Sequence, residues 1–160
     1  TLILVSADDG DLKLIVPQLM KLKYLATLKL IRFNDRLHYY NTEEGLHDKK
    51  IFGRTIFQLK SLNICHLYKI KMDNFNDLKR SSIEELSFDY AHIDVFCYLP
   101  SSLKRLTIKS LYGAITETPL CLPKLTNLTI KVDRASTVDV EWIIKKIGQS
   151  LHHCSVNSLG

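Results

Sequence analysis

Histidines at positions 38, 47, 66, 92, 152 and 153, cysteines at 65, 97, 121 and 154, and the carboxylates Asp8, Asp9 and Asp11 are the residues best suited to hold a metal or move a proton. Their spacing keeps them apart. No two cysteines make a C-x-x-C pair, and no histidine stands at a zinc-helix spacing from another ligand. His152, His153 and Cys154 are consecutive, but neighbours in an extended strand point to opposite faces, so Cys154 is expected in the core and His153 outside it. The stretch "ADDGDL" reads as a strand turning into a helix, where Asp and Gly serve turns and caps. "NLT" at 127–129 matches a glycosylation acceptor, yet it falls at a strand start. The phosphate-binding glycine motifs and the G-x-S-x-G elbow are absent from the sequence. The chain therefore reads as non-catalytic, with no cofactor and no metal.

The elements that would position these residues belong to one domain of 160 residues, long enough to bury about 70% of the surface of its unfolded chain. Apolar residues are 46% and charged residues 24%, a globular balance. Lysine and arginine number 22 against 17 acidic residues, a net +5. The basic residues form no run of five or six, so a protein partner is the first expectation and a nucleic acid, held by the basic C-terminal half, the second. Four dispersed cysteines read as reduced thiols and favour an intracellular, cytoplasmic or nuclear setting. No apolar stretch approaches the roughly 20 residues that span a bilayer, so no membrane association is expected. The opening "TLILV" and the closing "SVNSLG" read like the interior of a longer chain.

A phrase recurs along the sequence. Leu103, Leu106 and Ile108 make L-x-x-L-x-I, and Leu125, Leu128 and Ile130 repeat it; "LATLKL", "LKSLNI" and "IEELSF" follow the same pattern at 25–30, 59–64 and 83–88. Weaker copies are "TLIL" at the start and "LHHCSV" near the end. Taking the fourth position as marker gives 2, 28, 62, 86, 106, 128 and 154, mostly within the 20 to 29 residue period of a strand-and-return repeat. Each x-L-x-L-x is a short strand with two apolar side chains on one face. Between strands, 11–24 places Leu12, Ile15, Leu19 and Leu22 at helical spacing after a possible Asp11 cap, with Pro17 shortening the helix. A cleaner helix is expected over 137–150, capped by Thr137, striped by Val140, Ile143, Ile144 and Ile147, and ended at Gly148. The alternative is an ordinary α/β domain with Leu-rich strands.

On these phrases the chain resembles the leucine-rich repeat family from Leu2 to Leu159, in about seven irregular repeats. The resemblance implies an α/β fold, a solenoid with a curved parallel sheet and helical or irregular returns on its convex side. The Asn or Cys expected three residues after the last apolar position is replaced by Phe33, Leu67, Ala91, Leu111 and Asp133, so the regular subfamilies fit poorly. "LPSSLKRLTI" and "LPKLTNLTI" look like the repeats of fungal F-box proteins, which implies a substrate receptor of a ubiquitin ligase that binds a client and a ligase adaptor.

In that fold the residues flanking the buried pairs form three outward columns. These are Thr1, Thr27, Ser61, Glu85, Arg105, Asn127, His153; then Ile3, Lys29, Asn63, Ser87, Thr107, Thr129, Ser155; then Val5, Ile31, Cys65, Asp89, Lys109, Lys131, Asn157. Lys29, Glu85, Asp89, Arg105, Lys109 and Lys131 are the candidate partner-binding residues of this face. The competing reading is that Glu85 pairs with Arg105, and Asp89 with Lys109, as sheet chemistry alone. A second candidate is the insertion at 32–55, where Tyr39 and Tyr40 could make rim contacts; the alternative there is a solvated loop.

Overall fold

The computed structural model describes residues 1–7, 15, 17–33, 54–68, 75–113, 122–132, 140–147 and 151–158. Within them, seven strands form one sheet: β1 (Leu2–Ala7), β2 (Thr27–Phe33), β3 (Ile64–Tyr68), β4 (Glu85–His92), β5 (Arg105–Tyr112), β6 (Asn127–Val132) and β7 (His153–Ser158). Each strand pairs in parallel with the next one in the chain, so spatial order and chain order coincide. Parallel neighbours need a crossover. Described parts of these crossovers are a helical turn at 54–57, 3-10 turns at Leu78–Arg80 and Ile93–Tyr98, and the helix Val140–Ile147. No helix among the described residues is long and apolar enough to cross a membrane.

The recurring phrase becomes three buried rungs. Leu25, Leu62, Ile83, Leu103 and Leu125 enter the core just before the strands. Leu28, Cys65, Leu86, Leu106 and Leu128 follow in register, and Leu67, Phe88, Ile108 and Ile130 form the third rung. Leu19, Ile56, Phe57, Phe75, Leu78, Val95, Phe96, Ile143 and Ile147 join the same core. Phe75 meets Phe88 edge-on at 5.6 Å, a geometry that suits the ring quadrupoles.

The third repeat corrects the sequence reading. Cys65, not Leu62, pairs with Leu28 and Leu86, so the phrase is Leu62-x-x-Cys65-x-Leu67. Cys65 is fully buried rather than outward, and Ser61 and Asn63 lie before the strand. Burial pushes its thiol up to about 12, because the thiolate loses its hydration. At the other end the expectation also fails: Cys154 is exposed and Val156 is 37% exposed. Strand β7 is paired only to β6, and the described core stops short of these two side chains. In the first return Leu19 is buried and Ile15 partly so, whereas Leu22 is 39% exposed and leaves the expected stripe. The helix Val140–Ile147 buries Ile143 and Ile147 as expected, with Ile144 half-buried. Asp8, Asp9, Asp11, Leu12, Thr137 and Gly148 lie outside the described residues.

A side-chain ladder that the sequence reading did not use ties successive turns together. Ser61 Oγ donates to the Lys23 carbonyl at 2.8 Å, Ser82 Oγ to the Lys60 carbonyl at 2.9 Å, and Ser102 Oγ to the Ile83 carbonyl at 2.8 Å. One step later along the sheet, Thr126 Oγ1 donates to the Lys104 carbonyl at 3.1 Å. The backbone repeats the stitch: the carbonyls of Ala26, Asn63, Glu84, Lys104 and Thr126 each accept from two consecutive N–H groups of the following repeat. These bonds stack the strand-entry turns directly on one another.

Candidate docking surface

Alternation leaves one face of the sheet open. Lys29, His66, Ser87, Thr107, Thr129 and Ser155 form its central row in strict register. Beside it run Glu85, Arg105, Asn127 and His153 on one side and Asp89, Lys109 and Lys131 on the other. All six candidates on β2 and β4 to β6 thus sit where the sequence put them relative to their own strands, but Lys29 neighbours His66 rather than Asn63. His66 was missed because the register of β3 was misread.

The charges are matched to each other. Arg105 Nε donates to Glu85 Oε2 at 2.7 Å, and Lys109 Nζ lies 2.8 Å from Asp89 Oδ1. The Asp89 carboxylate is largely buried while its Lys109 partner is exposed; pairs of this kind across a sheet contribute about 0.2–1 kcal/mol. Lys131 has no carboxylate partner among the described residues. Between Phe88 and Ala91, β4 holds one residue more than strict alternation needs, and Tyr90 is left 54% exposed. Strand β5 has the matching irregularity between Ile108 and Leu111, and ends at Gly113. Gly113 has φ +107°, and a Cβ there would overlap the His92 ring, so no other residue fits without strain.

His66, Ser87 and Glu85 supply the residue types of an acyl-transfer triad. His66 Nδ1 is 2.9 Å from Ser87 Oγ and its Nε2 is 3.6 Å from Glu85 Oε1. The second distance is beyond hydrogen-bond reach, and Arg105 already holds the other Glu85 oxygen. Ser87 is only 6% exposed. The arrangement locks β3 to β4. Burial lowers the His66 pKa, Glu85 opposes that shift and Lys29 adds to it. The imidazole is therefore neutral at pH 7.

Among the described residues no three His, Cys, Asp or Glu side chains are placed to hold one metal ion. Tyr39 and Tyr40 lie outside the described residues. At the bounds of the expected insertion 32–55, Arg32 and Phe33 belong to β2 and Arg54 and Thr55 to the helical turn at 54–57, and 34–53 lie outside the described residues. Comparison with known proteins finds no matching family model, no matching curated protein and no matching solved structure.

Proposed function

We propose that the chain is a segment of a leucine-rich repeat solenoid acting as a non-catalytic interaction module, which docks a protein partner on the open face of its sheet. The carrying observation is the polar row Lys29, His66, Ser87, Thr107, Thr129 and Ser155 on consecutive parallel strands, in which all but the buried Ser87 reach solvent. A rigid sheet presents such a row with little entropy left to lose on binding. Tyr90 and Lys131 add an exposed aromatic ring and a cation to this surface, both suited to a partner with acidic and apolar side chains. The Leu-Pro lead-ins of the fifth and sixth repeats support a narrower reading, a client receptor of an F-box ubiquitin ligase. Dispersed cysteines support an intracellular setting.

The test is affinity purification with mass spectrometry, comparing the wild type with Thr107→Arg/Lys131→Glu. A specific client lost from the variant, with other partners retained, is the expected result. Identical partner sets would move docking off this face. A ligase adaptor in both samples would support the ligase reading, and its absence from both would remove it.

A further inference from the structure

The net charge of the chain is concentrated on a surface the open-face reading does not use. The strand-entry turns, stacked by the serine ladder, carry Lys21, Lys23, Lys60, Lys79, Arg80, Lys104 and Lys124, all exposed. The same turns hold two carboxylates, Asp77 and Glu84, and Glu84 is bound to Lys104 Nζ at 2.9 Å. Seven cations against two carboxylates give +5, which equals the excess of the whole chain, so everything else balances to zero. From β2 to β6 the ridge spans four strand spacings, about 19 Å.

We infer that this ridge binds the phosphate backbone of a single-stranded nucleic acid. Three observations select that ligand over an acidic peptide. Six of the seven cations are lysines, a residue depleted from protein interfaces but effective as a point charge for phosphate. In the middle of the ridge the exposed residues beside the cations include Gln58, Ser82, Ser101 and Pro123, none of them a large apolar side chain, whereas at the β2 end Leu22 is 39% exposed between Lys21 and Lys23. At its β2 end Tyr24 is 94% exposed, a ring free to stack a base.

Between the second and third stacked turns lies an open cleft of about 550 Å³, lined by Gln58, Lys60, Asp77, Arg80, Ser81 and Ser82 together with the apolar Phe57 and Leu59. In this cleft the exposed Lys60 and Arg80 are the groups that would meet a phosphate, and Asp77 at its wall opposes them.

The test uses the whole chain and a fluorescently labelled oligouridine, followed by anisotropy. Binding should weaken about 50-fold from roughly 50 to 200 mM salt, the slope for about four neutralised phosphates. Lys60→Glu/Arg80→Glu/Lys124→Glu should lose roughly tenfold or more, whereas Lys145→Glu, exposed on the helix Val140–Ile147, should bind like the wild type. If the triple reversal does not fold, Lys60→Gln/Arg80→Gln/Lys124→Gln should still weaken binding. Oligouridine binding that is absent, or unchanged in a folded ridge variant, overturns the inference. So does an oligoglutamate that binds as tightly as the RNA, which would assign the ridge to an acidic peptide. Loss of the protein client leaves this result unaffected, so the two readings fail separately.

Discussion

Cys65 carries the largest lesson at the scale of a residue. A buried cysteine packs as a small hydrophobe, and here it fills a leucine position between Leu28 and Leu86. The all-apolar match "LKSLNI" was more attractive on paper and shifted the expected strand by three residues, from a marker at 62 to one at 65. A check on the burial is direct. With its thiol raised to about 12, native Cys65 should resist a thiol reagent at about pH 8 while exposed Cys154 reacts. Peptide mapping by mass spectrometry after alkylation reads the two sites, and prompt labelling of Cys65 would contradict the register. His66 gives a second expectation. Its pKa is lowered in the fold, so the unfolded chain takes up the proton first. The resulting stability is fully present above about pH 6.5, the unfolded value, and is lost as pH falls toward the lower folded value. His66→Gln should flatten that part of a denaturation profile; an unchanged pH dependence would show that His66 is not the group responsible.

At the scale of an element, the strands that could be read from sequence were those whose apolar pairs were leucine, isoleucine or phenylalanine. Leu106 and Ile108, or Leu128 and Ile130, alternate with polar residues, and the core then has only one face to enter. The helix Val140–Ile147 was legible for the same reason, through Ile143 and Ile147. The serine ladder had a sequence signal that periodicity in apolar residues ignores: Ser61-Leu62, Ser82-Ile83 and Ser102-Leu103 place serine just before the first rung three times. Its worth is measurable. Ser102→Ala removes the 2.8 Å bond to the Ile83 carbonyl, and should cost about 1 kcal/mol in urea denaturation. A change within a few tenths would mean water replaces the hydroxyl without loss. The extra residue in β4 and β5 had no such signal, because the irregularity depends on how two neighbouring strands end together.

For the whole molecule, sequence reading anticipated the parallel sheet but left its charge dispersed. The lysines are far apart in the chain, and no run of like charge marks them. Stacking at about 4.8 Å per strand brings Lys23, Lys60, Lys104 and Lys124 onto one edge, while the open face keeps its ion pairs Glu85–Arg105 and Asp89–Lys109. The C-terminal basic residues expected to mark a nucleic-acid surface are thus partly neutralised in place. What the fold adds to the sequence is this separation of a balanced sheet face from a basic edge. The central claim, docking of a protein on the open face, is tested most directly by a photo-crosslinking amino acid at Thr129, with exposed Glu141 on the return helix as the comparison. Illumination in cells should trap a discrete protein adduct from position 129 and none from 141. An adduct from 141 with none from 129 would contradict the account.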